Sequence, residues 1–175
     1  MDHVEREKFE LAIGKLTVAW AVAEHGLDQC ISVIYHLKGG HSISKSLPLN
    51  ARDKIKFFRK SVRSLPELSK ASHHADYMAD MAFRILDDRN WCVHGVALQV
   101  GATLIPHPIE LTRLQRPHMI SLERKDVTLD SINKVMLDCM PLLLGFAFFL
   151  HDPLDIIPTE HVQQTLGRFR VDWPV

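Results

Sequence analysis

From Val4 to Leu37 the chain reads VEREKFELAIGKLTVAWAVAEHGLDQCISVIYHL, without a proline. Ile13, Leu16, Trp20, Ala23, Leu27, Ile31 and Ile34 recur in it at steps of three and four. That period places them on one stripe of an α-helix, in a nearly heptad pattern that buries against other helices. Gly39-Gly40 ends the run, since glycine accepts the left-handed conformation that closes a helix. A first helix of this length and pattern predicts a helical bundle.

The pattern continues along the chain. His41 to Asn50 carries Ser42, Ser44, Ser46 and Pro48, the chemistry of a loop. Asn50 is placed to cap a second helix from Ala51 to about Leu65, stopped by Pro66. A third helix starts near Glu67, or with Ser72 as its cap, and runs to His94, where Gly95 terminates it. Val96–Leu104, Ile109–Leu114 and Met119–Leu122 are short, partly alternating and separated by prolines, so two or three short strands are expected there. Asp126 or Thr128 then caps a fourth helix through about Leu150, kinked near Pro141. The tail from His151 has room for one short helix near Glu160–Leu166. The expectation is a mainly α fold over residues 1–175: an antiparallel four-helix bundle with a small β hairpin or meander at about 96–122 and an irregular tail at about 151–175.

Bulk properties narrow the function classes. At 175 residues with 46% hydrophobic and 24% charged residues, the chain suits one domain with a real core. Lys+Arg and Asp+Glu are both 21, so no global charge attracts nucleic acid and any such role needs a local patch. Cys30, Cys92 and Cys139 are odd in number and far apart, which reads as reduced, buried thiols in a cytoplasmic protein. The charged N-terminus lacks the apolar segment of a signal peptide. Val135–Leu150, the longest apolar run, is short for a bilayer and contains Asp138 and Pro141, so a buried helix is expected and no membrane association. The eleven histidines include no HxxxH pair, and neither a metal nor another cofactor is expected. Serine-hydrolase, P-loop and Rossmann signatures are absent from the sequence.

The segment that carries chemistry is Asp87-Asp88-Arg89-Asn90-Trp91-Cys92-Val93-His94-Gly95. Arginine holds a phosphate through two parallel hydrogen bonds, and histidine titrates near neutrality. The spacing itself is uninformative: chance placement yields roughly two arginine–histidine pairs of this kind. A second one, Arg113–His118, lies in a proline-broken segment and is read as a decoy. Context separates the first pair, which ends a long helix, with Asn90 beside the arginine and Gly95 after the histidine. Five helical residues turn through 500°, leaving Arg89 and His94 about 140° apart, whereas Asn90 and His94 share a face. Convergence on one phosphate requires the arginine to swing round, the helix end to loosen, or a symmetric partner to supply a second pair. The bland reading is a histidine stabilised by the helix dipole and an arginine paired with Asp87, Asp88 or Glu24.

With these residues in view, the sequence resembles the HEPN superfamily of small helical-bundle domains. Arg89-Asn90-Trp91-Cys92-Val93-His94 matches that family's arginine–polar–spacer–histidine signature, and Trp20-Ala21-Val22-Ala23-Glu24 with Leu27 looks like the opening helix of its bacterial members. The similarity covers roughly Lys8 to Gly95, with the helix from Thr128 as fourth element. The resemblance implies a metal-independent endoribonuclease of the toxin or defence type, acting through the RNA 2′-hydroxyl in a composite site between two protomers. In that role His94 is general acid or base, Arg89 stabilises the transition state, and Asn90 orients His94 or touches substrate. Glu24 joins as a carboxylate beside the buried stripe, either partnered there, with Arg89 the natural candidate, or an ordinary solvated glutamate on its flank. A cognate antitoxin fits the same picture. The competing class is a non-catalytic HEPN-like dimer that binds a nucleotide or a protein in the same groove.

One local feature supports RNA. From Lys45 to Arg63 there are seven basic residues, among them Arg52, Lys54, Lys56, Arg59, Lys60 and Arg63, against the single acid Asp53. An RNA backbone would favour such a run, with steep salt dependence. The alternative is a solvated face balanced by acids such as Glu5, Glu7 and Glu10. Phe57 and Phe58 within it are read as core anchors, and the apolar helix around Phe146–Leu150 implies burial on several sides, favouring a homodimer.

Overall fold

The computed structural model describes residues 3–94, 96–97, 109–116 and 119–155. The fold is mainly helical. Helix α1 spans His3–Leu37, α2 Ala51–Ser64, α3 Ser72–His94 and α4 Leu129–His151. Short 3-10 turns at Gly40–Ser42 and Ser69–Ala71 precede α2 and α3. Between α3 and α4 lie strands β1 (Val96–Ala97), β2 (Ile109–Arg116) and β3 (Met119–Val127), in the order β1-β2-β3. Strands β2 and β3 pair antiparallel from Ile109↔Val127 to Leu114↔Leu122, with a register irregularity before Arg116↔Met119. The expected segment around residues 98–104 and the short tail helix at 160–166 lie outside the described residues.

Each helix begins and ends where its sequence allows. Asn50 accepts a hydrogen bond from the Asp53 backbone N–H at 2.9 Å, and its own side-chain amide donates to Asp53 Oδ2 at 2.7 Å. This satisfies one of the free N–H groups at the start of α2 and, with Lys56, holds the Asp53 carboxyl below its ordinary range. Thr128 and Ser131 form a reciprocal cap at the start of α4, at 3.1 and 2.9 Å. α1 ends at a backbone reversal. Gly39 has φ +83°, a conformation that costs other residues about 1 kcal/mol or more. At Gly40 an added Cβ would sit 2.8 Å from the Ile34 carbonyl oxygen and the Tyr35 Cα.

The stripe on α1 is the floor of the core. Leu16, Trp20, Ala23, Leu27, Cys30, Ile31 and Ile34 are buried, while Ile13 is half-buried. α1 packs most extensively along α4. Gly26 permits that approach: an added Cβ would lie 3.2 Å from Phe146 Cβ. α2 contributes Ile55, Phe57, Phe58 and Val62. The Phe58 ring meets Phe149 and Phe146 edge-on at centroid distances of 4.9 and 5.6 Å, a favoured aromatic geometry. α3 contributes Ala75, Met78, Ala82, Ile85, Leu86, Trp91 and Cys92. α4 adds Ile132, Cys139, Leu142, Phe146, Phe149 and Leu150. By length and composition α4 is also apolar enough to cross a membrane, and Leu137 and Met140 on it are exposed. Pro141 within α4 cannot donate to the carbonyl four residues earlier, yet the helix continues through it.

Ser61 is a defect in this core. It is fully buried on α2, and its hydroxyl has no partner. Desolvating an unpaired hydroxyl costs free energy, and alanine is the better helix former. Ser61→Ala is therefore expected to stabilise the protein by about 1 kcal/mol. The check is the urea midpoint, which should rise with an unchanged slope.

Candidate functional site

α3 carries the arginine–histidine segment on its last turns. The core takes one side of them: Ile85, Leu86, Trp91 and Cys92 are buried, while Asp87, Asp88, Arg89 and Asn90 are half-buried and His94 is exposed. The Arg89 Nη1 donates to the Asn90 side-chain oxygen at 3.0 Å. Arg89 Nε is buried and unpaired. Among the described residues, no carboxylate neutralises this guanidinium. Asp88 instead pairs with Lys125 of β3, whose ammonium sits 6.0 Å from the centre of the Trp91 ring. This link fastens β3 to the end of α3.

Arg89 donates to Asn90, and on an ideal helix its position lies about 140° from that of His94. α3 is helical through His94, so the helix end does not loosen, and the arginine turns toward Asn90 rather than round the axis. Asn90 and His94 share a face by helical geometry.

Glu24 departs from expectation. Its partners are the Trp20 indole N–H at 2.9 Å and the Lys54 ammonium at 2.9 Å, and it does not meet Arg89. The reason is packing. Lys54 on α2 reaches between Glu24 and Asp28, one turn apart on α1, with Lys54–Asp28 at 2.8 Å. Trp20 is buried and needs an acceptor for its N–H, which Glu24 supplies. Burial lowers the Lys54 pKa, but hydrogen bonds and charge from Asp28 and Glu24 outweigh it, leaving the group above its ordinary value. A raised lysine contributes stability that is fully present at neutral pH and is lost as pH climbs through the alkaline folded-state pKa. Glu24 is thus a clamp between α1 and α2.

The basic helix is matched by acids of its neighbours rather than by Glu5, Glu7 and Glu10. Arg63 pairs with Asp76 at 2.7 Å, and Arg59 pairs with Asp80 and donates to the Asp76 carbonyl at 3.2 Å. The Arg52 and Arg59 guanidinium groups lie 5.7 and 5.6 Å from the Phe83 ring centre. Lys56 and Lys60 are exposed, with Lys56 within 3.4 Å of Asp53. So Lys54, Arg59 and Arg63 do not offer an unopposed surface to a phosphate backbone. The missed signal was Asp76 and Asp80, four residues apart on the helix that follows the basic one.

The three cysteines are buried. Burial pushes Cys139 up to about 11 and raises Cys30 and Cys92 as well, away from the thiolate form that reacts. Among the described residues, no three His, Cys, Asp or Glu side chains are grouped to hold a metal ion. No protein family, curated protein or solved structure matches this chain.

Proposed function

We propose that the chain is a HEPN-like domain, an antiparallel four-helix bundle with a β hairpin between α3 and α4, and that two copies form a metal-independent endoribonuclease. The observation that carries this reading is Arg89: a half-buried guanidinium with one buried, unpaired nitrogen, oriented by Asn90, at the helix end that exposes His94. A cation held out of bulk water with open donors is suited to an anion, and more so to a transition state of higher charge.

The reaction would run through the RNA's own 2′-hydroxyl. His94 of one protomer removes its proton, and the 2′-oxygen attacks phosphorus. The P–O5′ bond breaks, and the leaving oxygen takes up that proton from the same His94. Arg89 neutralises the extra negative charge on the pentacoordinate phosphorus. The products are a 2′,3′-cyclic phosphate and a 5′-hydroxyl. The ion pairs that occupy Lys54, Arg59 and Arg63 leave Arg52, Lys60 and Lys56, the last also near Asp53 at 3.4 Å, as the exposed cations of α2 for the flanking backbone. They equally favour the second reading, a dimeric module that binds an anionic ligand at Arg89 without cutting it. Incubation of the purified protein with mixed-sequence RNA in EDTA decides between the two. Cleavage supports the nuclease, whereas saturable binding with intact RNA supports the module.

A further inference from the structure

α1 carries a second apolar line, on the side away from the core. Val4, Leu11, Val18 and Val22 are all exposed, at 56%, 59%, 65% and 47%. At 100° per residue these four positions fall within about 20° of one line along the helix, over about 27 Å. Isolated exposed apolar residues need no explanation, but a straight heptad line of them marks an interaction surface. Gly14, beside this line, has open space where its Cβ would be, so a second helix can approach closely there.

The charges beside the line say what fits it. Lys8 and Lys15 flank it on one side and Glu7 and Glu10 on the other, all four exposed, with Glu10 also bonded at 2.8 Å to the exposed Arg6 of its own helix. A two-fold axis parallel to the helix brings opposite flanks together, lysines against glutamates. A two-fold axis perpendicular to it brings lysines against lysines and glutamates against glutamates. We infer that the outer face of α1 is a self-association surface on which a second copy of this chain docks its own α1 in parallel, Leu11 against Leu11 and Val18 against Val18. The surface is independent of the nuclease reading, because it involves none of Arg89, Asn90 and His94.

Sedimentation of the full chain over a range of concentrations tests this. The wild-type protein is expected to dimerise, and Leu11→Glu with Val18→Glu to raise the dimer dissociation constant by about ten-fold or more. Both residues are solvent-facing, so helix content by circular dichroism should not change. Lys8→Glu with Lys15→Glu should weaken the dimer, and mixing that variant with Glu7→Lys, Glu10→Lys should restore association. Orientation is read by oxidation: Val4→Cys alone should cross-link to itself. A wild-type monomer, or cross-linking of Val4→Cys only to Val18→Cys, overturns the proposal. A dimer that survives Leu11→Glu, Val18→Glu overturns it too, while leaving a dimer through α3 intact.

Discussion

His94→Ala is expected to lower the rate of RNA cleavage in EDTA by about 10²- to 10⁴-fold, the usual contribution of a positioned acid or base. The fold should be indifferent to the change, because His94 is exposed at the end of α3. Arg89→Ala is expected to cost about 10²- to 10³-fold through lost charge stabilisation, the size of an oxyanion-hole deletion. Arg89→Lys should not rescue it, since an ammonium lacks the planar fork that also reaches Asn90. The pair further predicts complementation. If Arg89 of one protomer serves His94 of the other, mixing the two inactive alanine variants yields heterodimers with one intact site, and activity returns. No recovery on mixing would place both groups in one chain, against the geometry of α3.

Phe58→Ala has the largest expected effect on stability. The ring is fully buried and stacks edge-on against Phe146 and Phe149 of α4. Truncation loses the transfer free energy of the ring, the aromatic contacts and the packing around the void, about 3–5 kcal/mol together. For a chain of this size that corresponds to a fall in Tm of roughly 6–20 °C. Phe58→Leu retains most of the volume and should cost about 1.5 kcal/mol or less. Thermal and urea unfolding measure both. A loss below about 1 kcal/mol for the alanine variant would mean that α2 is not seated on α4 through this ring.

The helices were legible in the sequence because each is written in local terms. The stripe from Leu16 to Ile34 needs only the 3.6-residue period, and Asn50 and Thr128 cap α2 and α4 through bonds to residues three positions on. The start of α3 was less clear, since Ser72 begins the helix after a 3-10 turn rather than capping it. Partnership between helices was the harder matter. A run such as Arg52 to Arg63 shows its charge but not what it faces, and the carboxylates that meet it come from residues 24, 28, 76 and 80. Glu24 illustrates the point. Its position beside the buried stripe announced a need for a partner, but only packing decided that Lys54, not Arg89, arrives there. For the arginine–histidine segment, the rotation about α3 could be worked out in advance, and the backbone is helical through His94 as that reckoning assumed.

The central claim is that Arg89 and His94 cut RNA without a metal. End-group analysis of RNA incubated with the purified protein in EDTA tests it most directly. The account predicts fragments ending in a 2′,3′-cyclic phosphate and beginning with a 5′-hydroxyl, produced by the wild-type protein and lost in His94→Ala. Intact RNA, or 5′-phosphate ends, would contradict it.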